Sequence, residues 1–166
     1  MAQPRKIVIL GHFGVGKTSL IRQYVDASFS EDYLVTVGVH VKKKDVIIND
    51  HAVTLVIWDI EGHSEIASAR ASYLLGASGF IYVFDVSRPE TYANLDNQME
   101  YLKEHFSGIP VEVFGNKCDK FEDEVSKAFF ETPPFNSYLF TSAKTGENVE
   151  EGFMQLTIKT LVAHES

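Results

Sequence analysis

The stretch Gly11-His12-Phe13-Gly14-Val15-Gly16-Lys17-Thr18 decides the fold of this chain, because it matches the pattern G-x-x-x-x-G-K-[ST]. It follows an apolar run at Arg5–Leu10 that predicts a strand, and it opens a predicted helix from Lys17 to Asp26. Glycines permit a tight turn whose backbone N–H groups point at an anion, and the helix N-terminus adds a favourable dipole. The alternative is a Gly-rich turn with a chance Lys-Thr pair. The position between strand and helix favours a phosphate-binding loop.

Two side chains of this loop and one from a later strand are expected to carry its chemistry. Lys17 would reach the β- and γ-phosphates of a nucleotide, and the Thr18 hydroxyl would bind Mg²⁺. Asp59 ends an apolar strand predicted at Val53–Asp59, where its carboxylate would hold Mg²⁺ through a water. Asp at a strand end is also a common turn residue, so the metal role depends on the phosphate loop. The loop residues predicted to contact the nucleotide are Gly14, Val15, Gly16, Lys17, Thr18 and Ser19.

The overall composition predicts one domain and argues against one class of partner. The chain has 166 residues, of which 45% are apolar, so residues 1–166 can bury one sizeable core and are predicted to form a single domain. The net charge of −8 argues against nucleic-acid binding, because phosphate backbones are held by clustered Lys and Arg. The basic run Lys42–Lys44 lies in a predicted strand, and a solvated sheet edge explains it better than a lipid or phosphate contact.

Cysteine use and the chain termini lead us to expect a cytoplasmic protein. The single cysteine, Cys118, allows no internal disulfide and supplies no metal-ligand cluster, which fits a reducing compartment. The first residues lack the apolar region of a signal peptide, and no apolar run reaches the ~20 residues of a membrane span. No cysteine stands at the C-terminus, so we expect no direct lipid anchor, and recruitment to membranes would need partners.

Apolar runs of strand length alternate with longer helical segments along the chain. This alternation predicts an α/β fold with a mainly parallel, six-stranded sheet, five helices on both faces and a ligand at the carboxyl ends of the parallel strands. The short turn Asn49–His51 predicts an antiparallel hairpin. The remaining predicted strands are Val39–Ile48, Gly79–Phe84, Val111–Phe114 and Ser137–Phe140, and the remaining helices are Ser64–Leu75, Thr91–His105, Phe121–Phe130 and Val149–Val162.

A phosphate loop alone fits ATPases, kinases and GTPases, so the identity of the base must come from another segment. The segment NKCD at residues 116–119 follows the predicted strand Val111–Phe114. There Asp119 is placed to accept hydrogen bonds from guanine N1–H and the 2-amino group. Adenine lacks both donors, so the carboxylate would lose its partners at a cost of roughly 1–3 kcal/mol. Asn116 would brace the phosphate loop and the base segment, and Lys117 would lay its aliphatic stem along the ring.

A second segment after the last predicted strand also fits a guanine site. The sequence TSAK at residues 141–144 is similar to a base-contacting loop in which the Ala143 N–H faces guanine O6. Each tetrapeptide occurs by chance in many proteins. Their order, each after a predicted strand, makes coincidence a poor explanation. The residues expected to contact the base here are Ser142, Ala143 and Lys144.

These motifs, in this order over essentially the whole chain, resemble those of the Ras-like small GTPases. The sequence YLLGA at residues 73–77, leading into Gly79–Phe84 and Asp85, looks closest to the Rab branch. The resemblance implies a Ras-like G domain that binds GTP or GDP with Mg²⁺. It also implies protein effectors that distinguish the nucleotide states, together with an exchange factor and an activating protein.

The resemblance further assigns residues to two switch loops. It places Phe29 edge-on to the guanine, Tyr33 over the phosphates, and Thr36 where the first switch loop ligates Mg²⁺ and senses the γ-phosphate. Phe29 is otherwise explained as a core residue and Thr36 as a strand-forming residue. In the second switch loop, residues 59–63, Gly62 keeps the backbone N–H that would meet the γ-phosphate.

Three residues depart from the pattern of the resembled family, and all lie where water would attack. His63 replaces the usual water-orienting Gln and has only one donor when neutral. Phe13 occupies a position that is often small, so its ring would fill space needed by an inserted arginine. Glu61 replaces a small residue, and its charge beside a triphosphate would weaken GTP relative to GDP or tune the metal. Alternatively, Glu61 and His63 point to solvent. Arg70 and Arg88 are expected to be surface or helix-end residues.

The residues support two main functional hypotheses. The first is a nucleotide-dependent molecular switch with slow GTP hydrolysis, in which Lys17, Thr36, Gly62 and His63 serve the reaction. The alternative is a GTP-bound scaffold that effectively does not hydrolyse its nucleotide. A third hypothesis, an ATP-using kinase or transport ATPase, predicts ATP binding that survives Asp119→Ala.

Overall fold

One seven-stranded sheet runs through the chain in the order β2-β3-β4-β1-β5-β6-β7. A computed structural model describes residues 3–25, 32–36, 38–62, 65–69, 71–121 and 123–165. The strands are β1 (Gln3–Gly11), β2 (Asp32–Thr36), β3 (Val39–Ile48), β4 (His51–Ile60), β5 (Gly79–Asp85), β6 (Val111–Asn116) and β7 (Leu139–Thr141). In the part of the sheet ordered β4-β1-β5-β6-β7, each strand pairs in parallel with its neighbour. Strand β3 pairs antiparallel with β2 on one side and with β4 on the other. The sheet therefore has five parallel strands, whose carboxyl ends lie at one edge.

The predicted α/β architecture is confirmed, with one addition at the sheet edge. All six predicted strands are present, and β2 adds a seventh that pairs with β3 through Tyr33 opposite Val41. The predicted hairpin between β3 and β4 is also confirmed, since Ile48 pairs with His51. Its turn residues Asn49 and Asp50 have φ of 50° and 68°. Two successive positive φ values match the right-handed twist of the flanking strands, which is why Asn and Asp suit this turn.

Within the described residues, five α-helices accompany the sheet, as predicted, but their lengths differ from those predicted. They are α1 (Lys17–Val25), α2 (Ala71–Leu74), α3 (Leu95–His105), α4 (Glu124–Phe129) and α5 (Val149–Glu165). The prediction of one helix over Ser64–Leu75 is wrong. Ile66–Ser68 forms a short 3-10 turn, and Ala69 is extended with φ −72° and ψ 148°. An extended residue cannot continue the helical hydrogen bonds, so α2 begins only after it.

The starts of two more predicted helices, and of one predicted strand, also need correction. The segment before α3 forms a 3-10 turn at Pro89–Thr91, where proline at the first position favours a turn. Helix α4 begins after Asp123, whose side chain accepts a hydrogen bond from the Ser126 N–H at 2.7 Å. This N-cap sets the start of α4, later than predicted. Ser137, predicted as the first residue of the last strand, ends another 3-10 turn, Phe135–Ser137, and β7 begins only at Leu139.

Two hydrophobic cores lie on opposite faces of the sheet. Alternate residues of β1 point to opposite faces, so Ile7 and Ile9 enter one core while Val8 and Leu10 enter the other. The first core contains buried side chains of α1 and α5, such as Leu20 and Phe153. The second contains buried side chains of α2 and α3, which are Leu74, Leu95 and Leu102. Helices therefore cover both faces, as the alternation of elements predicts.

The expectation of a solvated edge at Lys42–Lys44 is wrong for Lys44. Strand β3 pairs with β2 on one side and β4 on the other, so it is an internal strand. Lys44 Nζ donates to the Tyr24 carbonyl oxygen at 2.6 Å and lies 3.7 Å from the centre of the Tyr24 ring. Its ammonium also lies 3.4 Å from Glu150 Oε1. Lys44 thus ties β3 to α1 and α5.

Phe84 is the centre of an aromatic cluster in the second core. Its side chain is fully buried, and its ring lies 5.4–6.5 Å, centre to centre, from five other rings. The five residues are Tyr92, Phe130, Phe135, Tyr138 and Phe140. This cluster packs the segments after β5 and around α4 against β5.

Replacing Phe84 by alanine is expected to lower the free energy of unfolding by about 3–5 kcal/mol, because it removes a ring and leaves a cavity among its neighbours. Urea denaturation followed by tryptophan fluorescence measures the change. Ile47→Ala is the control, since Ile47 is 77% exposed. A loss below about 1 kcal/mol for Phe84→Ala would show that the cluster does not hold these segments together.

Candidate nucleotide-binding site

The loop between β1 and α1 has a backbone that only glycine permits at two positions. Gly11 has φ 148°, and a Cβ there would lie 2.3 Å from the Val83 carbonyl oxygen. Gly16 has φ 102°, and a Cβ there would lie 2.3 Å from Asn116 Nδ2. The loop therefore packs directly against β5 and against the last residue of β6.

Lys17 opens α1 and returns its side chain over this loop. Its Nζ donates to the Gly11 and His12 carbonyl oxygens at 3.1 and 3.0 Å. Burial lowers the pKa of Lys17 to about 8, and the charges of Asp59 and Glu61 oppose that shift. An anion held in the loop would favour the charged ammonium further. Lys17 is therefore a buried cation suited to phosphate oxygens.

A hydroxyl and a carboxylate meet beside Lys17. Thr18 Oγ1 donates to Asp59 Oδ2 at 2.6 Å, and Asp59 is buried near the carboxyl end of β4, opposite Ile9 of β1. Hard oxygen atoms of this kind are the ligands that Mg²⁺ takes in nucleotide sites, together with phosphate oxygens and water. Among the residues that the structure describes, no group of three or more His, Cys, Asp and Glu side chains could hold a metal alone. The pair fits a Mg²⁺ ion that also binds a nucleotide.

Asn116 connects three loops through one buried side chain. Its Nδ2 donates to the Val15 carbonyl oxygen of the phosphate loop at 2.9 Å. Its Oδ1 accepts from Thr141 Oγ1 at 3.0 Å and from the Ala143 N–H at 3.3 Å. The amide therefore braces the phosphate loop against both segments that are predicted to contact the base.

Lys117 follows in a left-handed conformation, with φ 69°. Its Nζ donates to the Gly14 carbonyl oxygen at 2.9 Å and pairs with Asp85 Oδ2 at 2.9 Å. Burial alone would raise the pKa of Asp85, but hydrogen bonds from Lys117 and Ser87 and the charge of Lys117 lower it below its usual value. Asp85 is thus a buried carboxylate that positions the Lys117 ammonium over the phosphate loop.

Asp119 and Ser142 hold each other at the other end of the site. Ser142 is buried, and its Oγ donates to Asp119 Oδ1 at 2.7 Å while accepting from the Thr145 N–H at 3.1 Å. These bonds set the direction of the carboxylate. Between Lys117 and Asp119, the Cys118 thiol donates to Glu147 Oε2 at 3.3 Å. Burial and Glu147 raise the pKa of Cys118 to about 12, so the thiol stays protonated and acts as a packing residue.

Two adjoining cavities run along these groups. One of about 440 Å³ is bordered by the phosphate loop, Asp59, Glu61 and Gly62. The other, of about 330 Å³, is bordered by Asn116, Asp119, Ala143 and Lys144, and Gly16, Ser19 and Lys117 line both. Together they form a groove from the phosphate loop to residues 116–119 and 141–144.

Some predicted site residues lie outside the described part of the chain. Phe29 and His63 fall there, and for Tyr33 and Thr36 only the backbone, in β2, is described. Gly62 is described, and it lies against the phosphate loop. A Cβ on Gly62 would be 2.3 Å from the Phe13 backbone nitrogen.

Arg88 is a site residue that the sequence interpretation missed. Its expected place at the surface or at a helix end is confirmed, because it precedes the 3-10 turn Pro89–Thr91 and its side chain is 37% exposed. In addition, its Nη1 donates to the Phe13 carbonyl oxygen at 2.9 Å and its Nε pairs with Glu90. The structure therefore places a guanidinium on the outer side of the phosphate loop. Its position, three residues after the buried strand β5 and directly before a 3-10 turn, carries no motif that would have revealed this contact.

A second missed feature ties the segment after Gly62 to α3. Gln98 Nε2 donates to Glu65 Oε2 at 2.6 Å, and Gln98 Oε1 accepts from the Ile66 N–H at 2.6 Å. Asn94 Oδ1 lies 3.4 Å from His12 Nε2 of the phosphate loop, and Asn94 Nδ2 donates to Glu65 Oε1 at 3.3 Å. Helix α3 and its N-cap Asn94 thus contact both the segment at Glu65 and Ile66 and the phosphate loop.

Comparison with known proteins agrees with this arrangement. The model of the Ras family matches residues 6–162. The chain belongs to the Ras family. A Ras-related protein Rab-7b from Paramecium octaurelia is 36% identical over 164 residues, which cover 91% of this chain and 78% of that protein. Ras-related protein Rab7 from Drosophila melanogaster is 36% identical over 168 residues, 94% of this chain and 80% of that protein.

A yeast relative places this Ras-family chain in the same branch. The Ypt/Rab-type GTPase ypt7 of Schizosaccharomyces pombe is 36% identical over 159 residues, covering 89% of this chain and 78% of that protein. The predicted Ras-like fold and Rab branch are therefore confirmed. Members of this family are small GTP-binding switches that hydrolyse GTP. They work with effectors, exchange factors and activating proteins.

Replacing Asp119 by alanine is expected to reduce the preference for GTP over ATP by about 10- to 100-fold, because guanine loses an acceptor for its N1–H and 2-amino groups. Competition of each nucleotide against fluorescent GDP measures the preference. Glu104→Ala, on the exposed face of α3, is the control. An unchanged preference in Asp119→Ala would show that another group selects the base.

Proposed function

We propose that this Ras-family chain is a molecular switch that binds GTP and GDP with Mg²⁺ and hydrolyses GTP slowly. One network of hydrogen bonds supports the proposal, namely the Asn116 amide that links Val15 to Thr141 and Ala143. A ligand that spans the groove would contact loops that are already braced against each other. Such preorganisation lowers the entropy cost of binding.

The described residues suggest how the chain would act on GTP. Lys17 Nζ would exchange its contacts with the Gly11 and His12 carbonyls for oxygens of the β- and γ-phosphates. Thr18 and Asp59 would hold Mg²⁺, which when bound would offset negative charge on the phosphates. Gly62, pressed against the Phe13 backbone, would present its N–H to the γ-phosphate. Loss of that phosphate would release the loop that carries Gly62.

The expectation of slow hydrolysis rests on residues at the entrance of the phosphate cavity. Phe13 is 74% exposed and lines this cavity together with Glu61 and Gly62. A ring in that place would obstruct a guanidinium supplied by a partner. His63 follows Gly62 in sequence, where an imidazole would orient an attacking water less well than an amide. We propose that Phe13 and His63 together keep the hydrolysis rate low.

A second candidate function, a GTP-bound scaffold without useful hydrolysis, is favoured by the same exposed ring of Phe13. The nucleotide that stays with the purified protein separates the two functions. Retained GTP would favour the scaffold, and retained GDP would favour turnover. Chromatography of nucleotide released by heating gives the answer.

Partners and location belong to the proposal as well. We infer that effectors contact the surfaces around Thr36 and Gly62, because only these loops would differ between the GTP and GDP states. An exchange factor and an activating protein would act on the same loops. Across the described residues, no helix is both long enough and apolar enough to cross a membrane. We propose a cytoplasmic protein that partners recruit to membranes.

Removing Mg²⁺ with EDTA is expected to speed GDP release from the wild type by about tenfold or more, since it breaks charge-assisted bonds to the phosphates. Thr18→Ala should release GDP quickly with or without EDTA. Thr18→Ser, which keeps the hydroxyl, is the matched control and should stay sensitive to EDTA. Stopped-flow release of fluorescent GDP measures the rates. EDTA sensitivity that persists in Thr18→Ala would contradict the metal role of Thr18.

The variant His63→Gln is expected to raise the rate of GTP hydrolysis by about tenfold or more, a change of ~1.4 kcal/mol in the barrier. An amide offers both a donor and an acceptor to the attacking water. Single-turnover hydrolysis of radiolabelled GTP measures the rate. His51→Gln, the same substitution at an exposed position of β4, is the control. Equal rates in wild type and His63→Gln would remove the role assigned to His63.

A further inference from the structure

Glu61 brings a second carboxylate to the phosphate side of the site. It lines the same cavity as Lys17, Thr18 and Asp59. The Asp59 carboxylate accepts a hydrogen bond from the Thr18 hydroxyl, with 2.6 Å between Oγ1 and Oδ2. Glu61 has no such role in the proposed Mg²⁺ site, so its charge needs a separate explanation.

The backbone holds Glu61 in this place from both sides. Its N–H donates to the Gly38 carbonyl oxygen at 2.6 Å. Its carboxylate lies close over Gly38, where a Cβ would be 2.6 Å from Glu61 Oε2. The next residue, Gly62, lies against the Phe13 backbone. Glu61 is thus fixed between the start of β3 and the phosphate loop, even though its side chain is exposed.

Glu61 lines the same cavity as Lys17, so its negative charge faces the space into which phosphate groups would enter. With a diphosphate in the loop, no phosphate group would occupy the part of the cavity beside Glu61. A triphosphate brings additional negative charge to that side, where the charge of Glu61 repels it.

We propose that Glu61 sets the nucleotide preference of this chain, because its negative charge on the wall of the phosphate cavity favours GDP over GTP. The inference rests on the proposed function, because it requires guanine nucleotides in the groove. It assigns Glu61 as a specificity-determining residue that acts by charge. The resting state of the switch would then be the GDP-bound state, set by the chain itself as well as by hydrolysis.

The test compares the affinities for GDP and for guanosine 5′-(β,γ-imido)triphosphate, a GTP analogue that is not hydrolysed. Both displace fluorescent GDP from Mg²⁺-loaded protein. Glu61→Gln removes the charge and keeps the shape, so it should raise the affinity for the analogue relative to GDP by at least about tenfold, ~1.4 kcal/mol. Glu61→Ala should change the ratio in the same direction. Glu61→Asp, which keeps the charge, should stay nearer the wild-type ratio.

Two further measurements separate charge from structure. Glu104→Gln makes the same change of net charge on the exposed face of α3 and should leave the ratio unchanged. The difference between wild type and Glu61→Gln should shrink as salt rises from 0.1 to 1 M, because the screening length falls from about 10 to about 3 Å. A merely structural role of Glu61 would not produce this dependence on salt.

The outcomes are distinct. A ratio in Glu61→Gln within twofold of wild type would overturn the inference, as would a shift seen only in Glu61→Ala, since that would be a steric effect. In both cases GDP binding by the wild type would leave the proposed function intact. If the wild type bound neither nucleotide, the proposed function itself would fail, and the inference with it.

Discussion

The buried side chain of Asn116 is the constraint on which the site depends. Its amide nitrogen donates to the phosphate loop at Val15. Its amide oxygen accepts from Thr141, at the end of β7, and from Ala143, in the loop that follows β7. The same amide stands 2.3 Å from where a Cβ on Gly16 would be. The glycine and the asparagine are therefore required together, although their residue numbers differ by one hundred. Removing either would let the phosphate and base ends of the groove move apart.

Much of this fold could be predicted because its signals are local. Continuous apolar runs predicted β1 and β5. The turn between β3 and β4 was predictable because Asn49 and Asp50 tolerate the positive φ values that it requires. The first strand of the sheet, β2, could not be predicted in this way. Its five residues show almost no alternation of polar and apolar side chains in the sequence, and they form a strand by pairing with the edge of β3. The helix predicted before β5 failed for a related reason, since Gln98 of α3 takes the Ile66 N–H and the chain extends at Ala69.

The site divides in the same manner. Motifs predicted which residues of the phosphate loop, β4, β6 and β7 come together, because glycines, Lys-Thr and Asn-Lys-x-Asp at strand ends have a chemical meaning. Contacts made by residues outside these motifs could not be predicted from the sequence. Arg88 reaches the Phe13 carbonyl, and Lys44 reaches the Tyr24 carbonyl, through chain crossings that no spacing reveals. The sequence showed only that Glu61 departs from the pattern of the resembled family. The structure adds that its carboxylate lies over Gly38.

Asp85 directly follows Phe84, so the charged group that positions Lys117 rests on the aromatic cluster of the second core. Loosening of that cluster would therefore disturb the groove as well. The reverse also holds, because a ligand that binds only the folded chain stabilises it by about 1.4 kcal/mol for each tenfold excess over its dissociation constant. Protease digestion proceeds through opened states of a protein. A bound guanine nucleotide would thus slow the proteolysis of this chain.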